Sequence, residues 1–166
     1  MVTRPRNYTF DAELALHMAT AAVVGQDHLP AGGVAGTDAA PTAMVAGVGQ
    51  VNGADKVIDL GSDTASYGGT VVIDVGAVAG QTTLLLQGSD TEDFSGDIVN
   101  LASIPLNVGG GHLGGANVDA IADRYESVFL NEQGDVIYQY VRLFKVGAGA
   151  IELNAFIGRA NGGYMP

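Results

Sequence analysis

Residues 136–146, Val-Ile-Tyr-Gln-Tyr-Val-Arg-Leu-Phe-Lys-Val, constrain this chain more than any other stretch. β-branched and aromatic side chains fit a pleated surface better than a helix. With successive residues on opposite faces, Tyr138, Tyr140, Arg142 and Phe144 share one side and Ile137, Val141 and Leu143 the other. A strand engaged on both faces belongs inside a sheet that packs against something on each side. An all-β body follows.

The rest of the chain supports this. From Lys56 onward, short apolar runs at 57–60, 71–75, 82–87, 98–101, 125–130, 136–146 and 151–157 alternate with turn residues, the density expected of a sandwich or barrel. In the last run Ile151, Leu153, Ala155 and Ile157 alternate with Glu152 and Asn154, which predicts an outer strand with one wet side. Asn131-Glu132-Gln133-Gly134-Asp135 and Val146-Gly147-Ala148-Gly149-Ala150 carry glycines able to adopt positive φ. They predict an antiparallel meander of the last three strands.

Ahead of this body, residues 1–24 read either as a short helix capped by Thr9 or Asp11 and carrying Leu14, Met18 and Ala22, or as an extended arm. Residues 25–54 are rich in Gly, Ala, Thr and Asp, with Pro30 and Pro41. They read as a long loop or insertion laid against a surface, which leaves 55–166 as the β-sandwich body.

Composition narrows the function. The chain of 166 residues is long enough to bury a core without disulfides, and it has no cysteine, so thiolate chemistry and Cys-based zinc sites are excluded. Seven basic against eighteen acidic residues give a charge of −11, which opposes binding to nucleic-acid phosphates. Only 15% of residues are charged, against about 25% in an ordinary soluble domain, so part of the exterior is expected to be covered by other chains. No apolar run reaches the ~20 residues of a membrane-spanning helix. Asp11, Glu13 and His17 interrupt the N-terminal segment where a secretion signal would need an apolar stretch, and the segment reads as mature protein.

Several elements taken together resemble the small jelly-roll cement proteins that decorate the capsids of some tailed bacteriophages. They are Asp55-Lys56-Val57-Ile58-Asp59-Leu60-Gly61, Leu84-Leu85-Leu86-Gln87-Gly88-Ser89-Asp90 with Phe94-Ser95, Ile104-Pro105-Leu106, and Tyr140-Val141-Arg142-Leu143 followed by a Gly-Ala turn and a closing apolar strand. Their order is similar to the family pattern over roughly the last two thirds of the chain. The insertion from Gly25 to Gly53 and the segment from Gly109 to Arg124 depart from it. The resemblance implies a jelly-roll form of antiparallel β-sandwich and a structural protein without catalysis. Its partners would be the major capsid protein and further copies of itself, as a dimer or trimer, on the outer surface of the virion.

Candidate chemical groups are few. Residues 89–97 gather Asp90, Glu92, Asp93 and Asp97 in one loop, but not at EF-hand spacing; a solvated turn anchored by Phe94 is the commoner explanation, with docking on a basic capsid patch as another. His17, His28 and His112 stand apart and form no metal-binding spacing. His112 lies among glycines, as in esterase oxyanion loops, yet no Gly-x-Ser-x-Gly elbow accompanies it. Neither a phosphate loop nor a dinucleotide fingerprint is present. No catalytic, cofactor or metal residue is assigned. Arg142 is expected to stack on Tyr140 and Phe144 and to pair with a carboxylate such as Asp59 or Glu126. Arg4 and Arg6, followed by Tyr8 and Phe10, make a basic aromatic arm suited to gripping a capsid or subunit neighbour. The expected function is therefore capsid cement. The alternative is a carbohydrate-binding or adhesive β-sandwich, which the absence of tryptophan disfavours.

Overall fold

The apolar runs all become strands in the computed structural model, which describes residues 8–9, 12–19, 27–28, 41–61, 66–106 and 124–160. In chain order the strands are β1 (Tyr8–Thr9), β2 (Ala15–His17), β3 (Asp27–His28), β4 (Thr42–Ala43), β5 (Gly47–Val48), β6 (Gln50–Val51), β7 (Ala54–Asp55) and β8 (Ile58–Asp59). The longer ones follow: β9 (Gly68–Ala79), β10 (Thr82–Ser89), β11 (Ile98–Leu106) and β12 (Arg124–Leu130). After these come β13 (Glu132–Gln133), β14 (Val136–Ile137), β15 (Tyr140–Val146) and β16 (Ala150–Ala160). The only helical element among the described residues is a 3-10 turn, Ala12–Leu14. Among the described residues no helix is long and apolar enough to cross a membrane.

Two antiparallel sheets face each other. The seven-stranded sheet is centred on β9 and β16, with β12 on the far side of β9; β4, β2 and β1 line the far side of β16 in succession, and β3 lies beyond β1. The five-stranded sheet runs β11-β10-β15, with β5 and β8 sharing the free side of β15. Pro105 sits in β11, which among the described residues pairs on one side only; a residue without an N–H donor is tolerated there. Val71, Ile73 and Val75 of β9 and Leu153, Ala155 and Ile157 of β16 share one apolar cluster with Leu84 and Leu86 of β10 and Val141 and Leu143 of β15. This is the interior of a sandwich.

The chain moves from sheet to sheet at two stacked corners. β9 turns into β10 through Gly80 and Gln81, and β15 turns into β16 through residues 147–149, so the β9–β16 ribbon continues as the β10–β15 ribbon. Gly149 donates its N–H to the Gln81 carbonyl (3.2 Å), and a Cβ at Gly147 would lie 2.8 Å from that same oxygen. Gly147 also has φ of 100°, so two independent demands select glycine there.

Three expectations need correction. The meander does not form: β12 and β16 both pair with β9, while β15 pairs with β10. Gly134 and Gly147 do provide positive φ, but the turn at 147–149 is a corner between sheets rather than a hairpin within one. Nor is the final strand an outer one. β16 has partners on both sides, and its second face is partly dry, because Phe156 is fully buried against Ala15, Met18, Val51 and Val72. That lid comes from β2 and β6, segments read as arm and loop; runs of two or three residues are too short to carry a periodicity. Finally, residues 136–146 are not one strand. β14 pairs with β13, the ladder breaks at Tyr138 and Gln139, and β15 begins at Tyr140. Tyr138 is buried beside Gly88 and Leu101, apart from the Arg142 face.

Candidate interaction surface

β15 positions the most distinctive group on the molecule. Val141 and Leu143 point into the core, so Tyr140, Arg142 and Phe144 stand half-buried on the outer face of the five-stranded sheet. The Arg142 guanidinium lies 4.0 Å from the centroid of the Phe94 ring and 5.2 Å from that of Phe144. Its Nε donates to Gln87 Oε1 on the neighbouring strand β10 (3.0 Å). Two rings and an amide thus fix the plane of the cation. Burial lowers the Arg142 pKa, and Asp55 opposes that shift electrostatically.

This differs in part from the expected arrangement. Phe144 is one stacking partner as anticipated, but Phe94 takes the place of Tyr140, and an amide takes the place of the carboxylate. Asp59 is engaged elsewhere: Gln139 donates to it (3.0 Å) and the Gly61 N–H donates to it (2.8 Å), and these bonds, that of Gln139 foremost, hold its carboxyl below the usual range.

Phe94 belongs to the acidic loop. It has φ of 55°, unusual for a bulky residue, and its ring is buried. The loop around it is wound by its own hydrogen bonds. Asp93 accepts from the Ser95 N–H (3.0 Å) and hydroxyl (2.7 Å), and Gly96 donates to the Thr91 hydroxyl (3.0 Å). Those Ser95 bonds lower the Asp93 pKa. Asp90, Glu92, Asp93 and Asp97 all face solvent, and among the described residues no group of three or more His, Cys, Asp or Glu side chains gathers as metal ligands would.

Two buried polar groups outside this surface tie distant segments together. His17 in β2 accepts the Gln50 N–H at Nδ1 (3.0 Å), and its Nε2 lies 3.3 Å from the Thr42 carbonyl, so the neutral ring with a proton on Nε2 joins β2 to β4 and β6. Burial lowers its pKa, and the bond to Thr42 opposes this. Asn131, read from sequence as a turn residue, is buried and bonded to both backbone groups of Tyr67 and both of Tyr138. Its only local signal is an amide side chain placed directly after an apolar run.

Arg4, Arg6, Phe10 and His112 lie outside the described residues; Tyr8 and His28 contribute described backbone to β1 and β3. A cleft of about 400 Å³ is lined by Glu13, Leu14, Lys56, Asp59, Leu60 and Tyr67 among others. In comparisons with known proteins, no family model, no curated protein and no solved structure matches the chain.

Proposed function

We propose that this chain is a capsid cement protein, a jelly roll that binds the outside of a phage head and stabilises it by bridging major capsid subunits. The observation that carries the reading is the spatial assembly of the elements on which the family resemblance rests. Residues 55–61 contain β8, 84–90 lie in and directly after β10, 104–106 end β11, and 140–143 begin β15, and these four strands are partners in one sheet. Tyr140 pairs with both Asp59 and Ser89, and Leu84 pairs with Ile104, so the motifs are neighbours in register as well as in order.

The jelly-roll form is supported by the connectivity. Grouping β1, β2 and β4 as a first strand position and β5 and β8 as a second gives eight positions, with β9, β10, β11, β12, β15 and β16 as the third to eighth. One sheet then reads 1-8-3-6 and the other 2-7-4-5, two interlocked Greek keys. Such a slab suits a mechanical role in which several modest interfaces act together through avidity and no deep ligand pocket is required.

Titrating the purified chain onto undecorated heads tests this. The expected result is saturable binding with a rise in the temperature of head disruption. Heads that neither bind the chain nor gain heat resistance, together with specific retention on a glycan array, would favour the adhesive β-sandwich instead.

A further inference from the structure

We infer that the outer face of the five-stranded sheet is a two-fold contact between copies of this chain, in which Arg142 of each copy receives carboxylates of the other's acidic loop. The inference deepens the self-association that the family resemblance implies and rests on that reading, but its test requires no capsid.

Arg142 is built as a receptor for an anion. Its guanidinium is held by Phe94, Phe144 and Gln87, so little side-chain entropy remains to be lost on binding. Only Nε has a protein acceptor; the terminal nitrogens, whose fork matches a carboxylate, make no hydrogen bond or ion pair with any described residue.

The acidic loop lies immediately beside it, because Phe94 is at once the loop's anchor and the ring beneath the cation. Asp93 is occupied by Ser95, whereas Glu92 and Asp97 are exposed and make no bond with any described residue. A cation and a cluster of carboxylates side by side on one surface form a self-complementary pair. Rotating a second copy by 180° about an axis between them lays plus on minus twice. For a chain of charge −11, this is a way to bring two copies together with attraction at the centre. Half-buried Tyr140, Phe144 and Leu85 supply apolar area around the charges.

Sedimentation of the full chain over a concentration series decides the matter. The wild type is expected at twice 16.9 kDa, loosening as salt is raised. Glu92→Arg combined with Asp97→Arg, both on exposed loop positions, should raise the dimer dissociation constant by about tenfold or more. Arg142→Glu should do the same, and combining all three reversals should restore dimers. A wild type that sediments as a monomer or a trimer overturns the proposal, as does a loop variant that dimerises like the wild type. Failure of the triple variant to recover counts equally against it, provided that it keeps the wild-type circular dichroism. If Arg142→Glu does not fold, the loop variant alone decides. Because no phage head takes part, a negative result here leaves head stabilisation to be judged separately.

Discussion

Asn131 holds Tyr138 by both of its backbone groups. The Tyr138 N–H donates to the Asn131 carbonyl (2.8 Å), while the Asn131 side-chain amide donates to the Tyr138 carbonyl (3.0 Å). The other side-chain atom of Asn131 accepts the Tyr67 N–H, and its own N–H donates to the Tyr67 carbonyl. One side chain therefore satisfies backbone groups from two segments at the end of the sandwich.

Replacing Asn131 with alanine leaves the Tyr67 N–H and the Tyr138 carbonyl without these partners. At about 1–3 kcal/mol for each buried unsatisfied group, the expected loss is on the order of 2–4 kcal/mol. Asn131→Asp keeps the acceptor for Tyr67 but turns a carboxylate oxygen towards the Tyr138 carbonyl, and should also destabilise. Urea unfolding of the three proteins measures this; an alanine variant within about 0.5 kcal/mol of wild type would show that the clamp contributes nothing.

His17 should make stability sensitive to mild acid. Its folded-state pKa lies below the ordinary 6.5, so as the pH falls the unfolded chain takes up this proton first. The contribution is complete above about pH 6.5, declines as the pH drops through the folded-state value, and levels off below it. His17→Gln removes that titration. The stability gap between wild type and variant should narrow from pH 7.5 to pH 5; a gap independent of pH would contradict a buried neutral imidazole.

Phe156 fastens the N-terminal lid to the outer face of the seven-stranded sheet. Phe156→Ala should cost about 3–5 kcal/mol, as for other fully buried aromatic residues. Val128→Ser on exposed β12, where the side chain is 72% accessible, should stay within about 0.5 kcal/mol. Thermal melts of both variants compare the two sites directly. Equal effects would mean that Phe156 is not packed as described.

Alanine at Gly147 combines positive φ with a Cβ only 2.8 Å from the Gln81 carbonyl, whereas Gly134, with φ of 64°, has open space around it. Gly147→Ala should lose about 3 kcal/mol or more, and Gly134→Ala about 1 kcal/mol. Denaturant midpoints that rank the two in the opposite order would argue against stacked corners.

The strands were legible in the sequence because β-branched and aromatic runs carry their own period, and each apolar run from 57 to 157 lies on a strand or pair of strands. Strand ends were less so. β9 extends through Gly68, Gly69 and Gly76, residues that weaken a strand locally and are tolerated because β12, β16 and Pro41 pack there. Partnership between strands was not legible: whether the glycines at 147 and 149 make a hairpin or a corner depends on Gln81, sixty-odd residues away in the chain (Gln81 to Gly147). For the same reason Arg142 could be placed on its face from the sequence, while Phe94, its nearer ring, sits in a loop that only the fold brings beneath it.

β9 is the spine of one sheet, yet its longest partner, β16, is the last strand in chain order, some seventy residues further on (Ala79 to Ala150). During translation the β16 side of β9 has only water to bond until the residues of β16 have emerged. Closure is thus a late, cooperative event governed by distant pairing. Nascent chains stalled short of β16 should be the species that chaperones hold and that aggregate when crowded.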